Sequence, residues 1–380
     1  MSIFTLIKWL YFAVNAYLII RLSLALRGAG KIRVFRVLAC LGAFLLSIAY
    51  PVSRMVEGNG FFARALTFSG TFWLSLVLHV LLLLIVLGLF RFCNRRFSWL
   101  VIPPSCLPRW RIGACGGIVG AALLISGLGW VNTQRPTVRE ITLPTPSGTA
   151  PLKIVALSDT HLGRLVSPAD FSRLIDLAEP FQPDLVLFAG DILDDYYGLD
   201  VAATRASLKR LNPPLGVWGV LGNHEYIAGD PETSRQLLEQ SCIRILRDDW
   251  ANLDGKLLLV GRDDRSRERF EGQPRKPLAE ILAGIPAPLN AQTKILLDHQ
   301  PFHLEDAQNA DVFLQLSGHT HKGQLFPFNF VVALLYENAY GHSQRGQTHY
   351  WVSSGAGTWG PRSRTTGRPE ILLIRLVPET

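Results

Sequence analysis

The chain has 380 residues, 48% of them hydrophobic, and a formal charge of +8. That length allows two domains, and the positive mean hydropathy puts one of them in a membrane. The charge argues against a nucleic-acid-binding role once it is divided: residues 1–140 hold 15 Lys and Arg against 2 Asp and Glu, whereas residues 141–380 hold 23 against 28, and a domain that tracks phosphate backbones carries its own basic footprint.

Four apolar stretches come first, at 3–20, 34–50, 66–90 and 112–131, each near the length that spans a bilayer as a helix. The first lacks the basic cluster and small-residue cleavage site of a signal peptide and is read as a retained helix. Arg21, Arg27, Lys31, Arg33 and Arg36 fill the first loop, and Arg91, Arg95, Arg96, Arg109 and Arg111 the third. Positive loops stay in the cytoplasm, so four spans put both termini and everything after residue 134 on the outer side; an odd number of spans would reverse this. His79, inside the third stretch, is read as a hydrogen-bonded packing residue. Cys242 is the lone cysteine of the C-terminal part, so no disulfide can form within it.

After Thr133-Gln134-Arg135-Pro136 comes a short strand-like run, Val138 to Leu143, and a turn-rich stretch, Pro144 to Gly148. The expected division is a transmembrane domain at 1–134, a linker with a lead-in strand at 135–150, and a catalytic domain at 151–380. Within the last, strands are expected at 152–157, 185–189 and 217–221. Ser167-Pro168 opens a helix to about residue 179, as an N-cap followed by proline at the first helical position. Further helices are expected at 201–211 and 232–240. Later strands at 257–261, 294–297, 312–316, 349–353 and 371–376 complete an α/β sandwich of two packed sheets with helices outside.

The strand ends carry metal-ligand residue types: Asp159 and His161, Gly190-Asp191, Gly222-Asn223-His224-Glu225, His299, and Gly318-His319-Thr320-His321. Side chains two apart in an extended segment share a face, so Asp159 with His161, and His319 with His321, are each expected to approach one cation. Asp191 can bridge two cations, Asn223 adds a neutral amide oxygen, and His299 follows a strand. Carboxylate, imidazole and amide without thiolate suit Mn, Fe, Zn or Mg. Two divalent cations against Asp159, Asp191 and a hydroxide leave a net positive centre that attracts phosphate. Each motif alone is weak, but the ordered series at strand ends reads as a two-metal hydrolytic centre.

This series resembles the calcineurin-like metallophosphoesterase superfamily over residues 150–380. Ser158 to Gly163, Gly318 to Gln324, Val352 to Thr358 and Pro369-Glu370-Ile371 resemble its bacterial membrane-associated branch. The resemblance does not cover the four-helix transmembrane region read from the apolar stretches; it implies that an α/β metallophosphoesterase domain of two packed mixed β-sheets flanked by helices follows it. It also implies one metal on Asp159, His161, Asp191 and His321, a second on Asp191, Asn223, His299 and His319, and His224 as general acid with Asp194 keeping it protonated.

Three positions depart from relatives within the superfamily. Asp195 stands where phosphoprotein phosphatases have a phosphate-gripping arginine, and Asp194 where purple acid phosphatases have a tyrosine ligand. Lys322 stands where the membrane branch has glycine and is a phosphate contact or a solvated loop charge. His303, four residues after His299, competes for its role, but His299 directly follows the strand. His342 and His349 match no ligand position, Glu225 is expected to support the site, and the run Arg262 to Arg269 is expected as a solvated loop, with a headgroup-phosphate site as the alternative.

The expected activity is hydrolysis of a phosphodiester or pyrophosphate by a bacterial inner-membrane protein, with a phospholipid or lipid-linked envelope precursor as substrate. No nucleic-acid partner is expected. The alternatives are a nuclease or nucleotide phosphodiesterase of the same superfamily, and a non-enzymatic membrane sensor.

Overall fold

A computed structural model describes residues 3–27, 33–145 and 149–378. Lys31 of the first loop and Pro146-Ser147-Gly148 of the turn-rich stretch lie outside the described residues. The chain forms two compact units, Met1–Trp130 with Gly360–Ser363, and Val131–Trp359 with Arg364–Thr380.

The first unit contains four helices long and apolar enough to cross a membrane. They are α1 (Ile3–Ala25), α2 (Arg33–Ser53), α3 (Phe61–Phe97) and α4 (Leu107–Thr133), each several residues longer than its apolar stretch. The pattern is that of a protein solvated by lipid: Leu41, Leu45, Ile85 and Leu124 face outwards, while Ser47, Thr71, Ser75, His79 and Ser126 are buried. His79 Nδ1 lies 2.9 Å from Ser126 Oγ, in keeping with a packing role. Trp73 donates across the bundle to Asn15 Oδ1 at 2.7 Å.

The second unit begins with β1 (Thr137–Thr145) and β2 (Leu152–Leu157), then α5 (Pro168–Ala178), β3 (Leu185–Ala189), α6 (Val201–Lys209), β4 (Val217–Val220), α7 (Asn223–Ile227), α8 (Pro231–Gln240) and β5 (Arg244–Ile245). Ser167 caps α5 as expected: its hydroxyl accepts from Asp170 N, and Asp170 returns a bond from Ser167 N. There follow β6 (Asp249–Leu253), β7 (Leu257–Gly261), α9 (Ser266–Glu271), α10 (Leu278–Ala283), α11 (Ala287–Asn290), β8 (Lys294–Leu297), α12 (Leu304–Asn309) and β9 (Leu314–Ser317). Last come α13 (Phe328–Leu335), β10 (Gly341–Arg345), β11 (Thr348–Val352) and β12 (Glu370–Pro378).

Two six-stranded sheets result, in the orders β1-β12-β2-β3-β4-β5 and β10-β11-β9-β8-β7-β6. Both are mixed: β2, β3, β4 and β5 run parallel, as do β7, β8, β9 and β11, with antiparallel pairings at β12–β2, β6–β7 and β10–β11. The lead-in strand β1 is a full edge strand, paired parallel with β12 from Thr137↔Glu370 to Thr145↔Pro378.

Ile154, Leu187, Leu259, Ile295, Leu314 and Ile374 form the core between the sheets. A second core packs α5, α6 and α8 on the first sheet through Phe171, Ile175, Leu208 and Leu238, and a third packs α10 and α12 on the second through Ile281, Leu304 and Ala307. Continuous apolar runs such as Leu185–Ala189, buried at every position, reflect strands covered on both faces. Chain leaving the carboxyl ends of β2, β3, β4, β8 and β9 carries Asp159, Asp191, Asn223, His299 and His319, and such strand ends are where open α/β sheets place ligands.

The run Arg262 to Arg269 differs from its expectation. Arg262, Asp263 and Asp264 are buried. Arg262 pairs with Asp298 at 3.2 Å and Asp306 at 3.0 Å, Asp263 with Arg247 at 2.9 Å, and Gln300 donates to Asp264 at 3.0 Å. Arg262 and Asp263 each find a partner of opposite sign, so the first three residues pack, while Arg265, Glu268 and Arg269 stay exposed as expected.

Candidate metal centre

The ligand-type residues converge, but not by the expected route. Asp159, His161, Asp191, His319 and His321 have φ of 51°, 48°, 50°, 70° and 48°. They are left-handed turn residues, so the shared-face argument for extended chain does not apply. At each strand end the backbone must reverse over the sheet edge, and left-handed residues make that reversal in one step. The conformation costs about 1–2 kcal/mol for a residue with a Cβ, and such strain concentrates at functional sites.

Two groups form. Asp159, His161 and His321 offer ligand atoms within 4.8 Å of one another, and so do Asp191, His299 and His319. In the first group, His161 Nε2 lies 3.0 Å from His321 Nε2, and His321 Nε2 lies 3.3 Å from Asp159 Oδ1. In the second, His299 Nε2 lies 3.2 Å from Asp191 Oδ2, and His319 Nδ1 lies 2.7 Å from Asn223 Oδ1. Asp191 stands between the groups, its Oδ2 also 3.8 Å from His161 Nε2. Asp159 Oδ2 and His299 Nε2 are buried without a hydrogen-bond partner. Nitrogen and carboxylate oxygen donors, crowded and left unsatisfied, fit divalent cations of the N/O-preferring kind.

Beside them, Asp194 Oδ1 lies 2.9 Å from His224 Nδ1. Burial works against the charged ring of His224, but Asp191 and Asp194 outweigh it and push its pKa up to about 9. Burial also opposes ionisation of Asp194, yet the neighbouring rings of His161 and His224 hold it far below the usual carboxylate range. His321 is held well below the ordinary imidazole range by burial, then by His161 and Arg364. Burial, with His299 adjacent, lowers His319 to about 4, so it is a neutral ring.

Several supporting residues carry no sequence signal. Arg364 is fully buried, reaching the carbonyl of Gly357 at 2.6 Å and lying 3.2 Å from His321 Nδ1. In the sequence it sits in a Gly/Pro/Ser-rich stretch that reads as solvated loop. Trp359 flanks His224, ring to ring 5.8 Å, and Tyr336 flanks His319 at 6.0 Å. Glu225 supports the site as expected, accepting from Leu193 N at 2.8 Å and Gly222 N at 2.6 Å and so tying the loops after β3 and β4 together. Gly318 lets the last loop close on the first, because a Cβ there would strike Asp159 Oδ2.

The other flagged residues lie in different settings. Asp195 accepts from Arg164 N at 3.2 Å and Gly198 N at 2.9 Å, which makes it a loop brace. Lys322 Nζ rests 4.2 Å above the Tyr340 ring. His303 is exposed beside Glu305, and His342 pairs with His349 at 3.0 Å.

Residues 152–323 match the Calcineurin-like phosphoesterase family. The chain is 36% identical over 246 residues to an uncharacterized metallophosphoesterase of Campylobacter jejuni subsp. jejuni, covering 64% of each chain. It is 32% identical over 264 residues to an uncharacterized metallophosphoesterase of Aquifex aeolicus, covering 67% of this chain and 97% of that one. It is also 31% identical over 278 residues to a transmembrane protein with metallophosphoesterase domain from Danio rerio, covering 68% of this chain and 61% of that one. The match thus spans less than two thirds of the Campylobacter and Danio relatives. The chain has four helices long and apolar enough to cross a membrane and clustered ligand-type side chains, and it belongs to the calcineurin-like phosphoesterase family.

Proposed function

We propose that this protein hydrolyses a phosphodiester or pyrophosphate bond of a lipid or lipid-linked envelope substrate, with two divalent cations. Asp159, His161, Asp191 and His321 would hold one, and Asp191, Asn223, His299 and His319 the other. The observation that carries this reading is the position of Asp191 between two ligand clusters, 3.2 Å from His299 and 3.8 Å from His161. When bound, such cations neutralise phosphoryl oxygens and lower the pKa of a water to about 7.

The chain's own contribution is orientation and proton transfer. His224, half-buried and held protonated by Asp191 and Asp194, is the acid that delivers a proton to the leaving oxygen. Asp194 fixes the ring through Nδ1, which leaves Nε2 for the substrate. Arg364 lies 3.2 Å from His321 Nδ1 and keeps that ring from taking a second charge.

Two features support a substrate at a bilayer. Four membrane-crossing helices anchor the chain. Helix α13, beside His319, exposes Phe328, Phe330, Val331, Leu334 and Leu335, an unusual surface for a water-soluble domain. The arginines of the first and third loops support an outward-facing catalytic unit in a bacterial inner membrane.

The test is hydrolysis of bis-p-nitrophenyl phosphate by the full chain in vesicles with Mn²⁺ added. Turnover should require the cation and disappear in Asp191→Ala; unchanged turnover in that variant rejects the site.

A further inference from the structure

All four membrane helices line a half-open hollow of about 990 Å³, and no residue of the metal centre is among its lining. Its wall is apolar along most of its length, with Leu22, Leu46, Leu76, Val80, Leu84 and Val119 among the lining side chains. One end is different. Arg21 and Arg27 from the end of α1, Arg91 from the end of α3 and Arg111 from the start of α4 all line the cavity. The antiparallel course of the helices puts these four at the same end of the bundle.

The arginines lack an acidic counterpart. Among the described residues none of the four pairs with a carboxylate; Arg21 has the Tyr17 ring at 5.9 Å. Within residues 1–130 the sole acidic residue is Glu57, in the loop between α2 and α3, at the other end of the helices. Four arginines thus line one end of an apolar hollow, and residues 1–130 supply no acidic residue at that end to balance them. Guanidinium is suited to phosphate by its planar, bidentate fork, and basic pockets between membrane helices hold phosphate headgroups.

The hollow has a local cause. Small residues line it where α2 and α4 face it: Ala39, Gly42 and Ala43 on the first, Ala114 and Gly116 on the second. A Cβ added at Gly42 or Gly116 would meet no atom within 4 Å. The volume is at the upper end of the range for ligand pockets, about 300–1,000 Å³. An apolar cavity does not hold water, and leaving it empty forfeits the contacts of its lining.

We propose that this cavity binds an anionic glycerophospholipid, with its acyl chains along the apolar wall and its phosphate among Arg21, Arg27, Arg91 and Arg111. The apolar wall selects against free phosphate, and the uncompensated arginines select against a zwitterionic lipid. The occupant is a bound lipid of the bundle, and the proposal stands whatever substrate the metal centre takes.

Native mass spectrometry of the full chain, released from nanodiscs of equal phosphatidylglycerol and phosphatidylcholine, tests it. Retained lipid should be enriched in phosphatidylglycerol by about tenfold, the ratio expected for one or two strong phosphate contacts. Arg91→Gln with Arg111→Gln should bring enrichment below about twofold, and Arg91→Lys with Arg111→Lys should keep most of it. Gly42→Phe and Gly116→Phe fill the hollow and should remove the bound lipid with every arginine in place; Ala43→Leu is a gentler filling that keeps the test valid if the bulkier variants fail to elute as a single species. Equal retention of both lipids would overturn the proposal. So would enrichment that survives filling, which would mean that the arginines merely attract surrounding headgroups, or displacement of the lipid by inorganic phosphate alone.

Discussion

His299 Nε2 faces Asp191 Oδ2 at 3.2 Å, while Nδ1 of the same ring is committed to the carbonyl of Ala189 at 2.8 Å. The ring is therefore fixed with one nitrogen aimed at the carboxylate, the outer-shell arrangement that orients a ligating histidine. Burial opposes charge on this ring, but Asp191 wins and raises its pKa well above the ordinary value. A proton held on this ring would compete with the proposed cation. Mn²⁺ binding should release it, so apparent affinity should rise with pH, by up to about tenfold per unit for one proton. Calorimetry at pH 7 in two buffers of different ionisation enthalpy reads the release directly. No proton release, or an unchanged release in His299→Gln, would contradict the assignment.

The contact between Asp194 and His224 makes a different prediction, about leaving groups. A general acid matters most when the departing oxygen is a poor leaving group, and its contribution is then about 100- to 10,000-fold. His224→Asn should cost that much with an alkyl phosphodiester and far less with a nitrophenyl ester. The acid works only while protonated, so turnover of the alkyl ester should fall as pH rises through about 9. Removing the Asp194 charge lowers the pKa of the ring, so Asp194→Asn should move that alkaline limb to lower pH. A pH–rate profile for each variant gives the comparison.

Much of this centre is legible in the sequence because strand, turn and ligand follow one another within a few residues. Leu152–Leu157 with Asp159 and Leu185–Ala189 with Asp191 are such units, and their strands begin and end where the apolar runs do. The route of convergence was not legible: backbone φ at Asp159 and His321 is decided by what the loop must reach, which is far away in the chain. Edge strands escaped for another reason. Neither Asp249–Leu253 nor Gly341–Arg345 has a continuous apolar run, because each is covered less fully than the central strands. Arg364 and the buried run from Arg262 to Asp264 show the same limit in electrostatics. A charged residue reads as solvated until the partner that neutralises it is known, and Asp298 is 36 residues from Arg262.

Glu225 makes a stability prediction that separates scaffold from chemistry. Its two oxygens take the N–H groups of Leu193 and Gly222, and the residue is fully buried. Glu225→Ala leaves both donors unpaired, at about 1–3 kcal/mol each. The catalytic unit should unfold at lower denaturant concentration, with slope unchanged, and should bind Mn²⁺ more weakly, because the loops carrying Asp191 and Asn223 are no longer tied. Glu225→Gln keeps one acceptor and should fall between. Full stability in the alanine variant would remove Glu225 from the support of this site.

The exposed face of α13 carries the last prediction, which concerns the lipid character of the substrate. Leu334 is 87% exposed and Leu335 65%, and Phe330 adds a ring that is 59% exposed. Covering a side chain of this size is worth about 1.5–3 kcal/mol, so leaving several in water is a cost that a lipid surface or acyl chain would remove. The helix leads directly into Tyr336, whose ring flanks His319 at 6.0 Å, so whatever covers α13 lies close to the proposed site of cleavage. Leu334→Glu with Leu335→Glu puts two charges on that face without touching a ligand-type residue. In the full chain it should lower kcat/KM for a phosphodiester carried on a diacyl lipid by about 10- to 100-fold and leave the soluble nitrophenyl ester unaffected. Equal loss on both substrates would point to a general structural effect. No loss on either would mean that α13 does not meet the substrate or the surface that bears it.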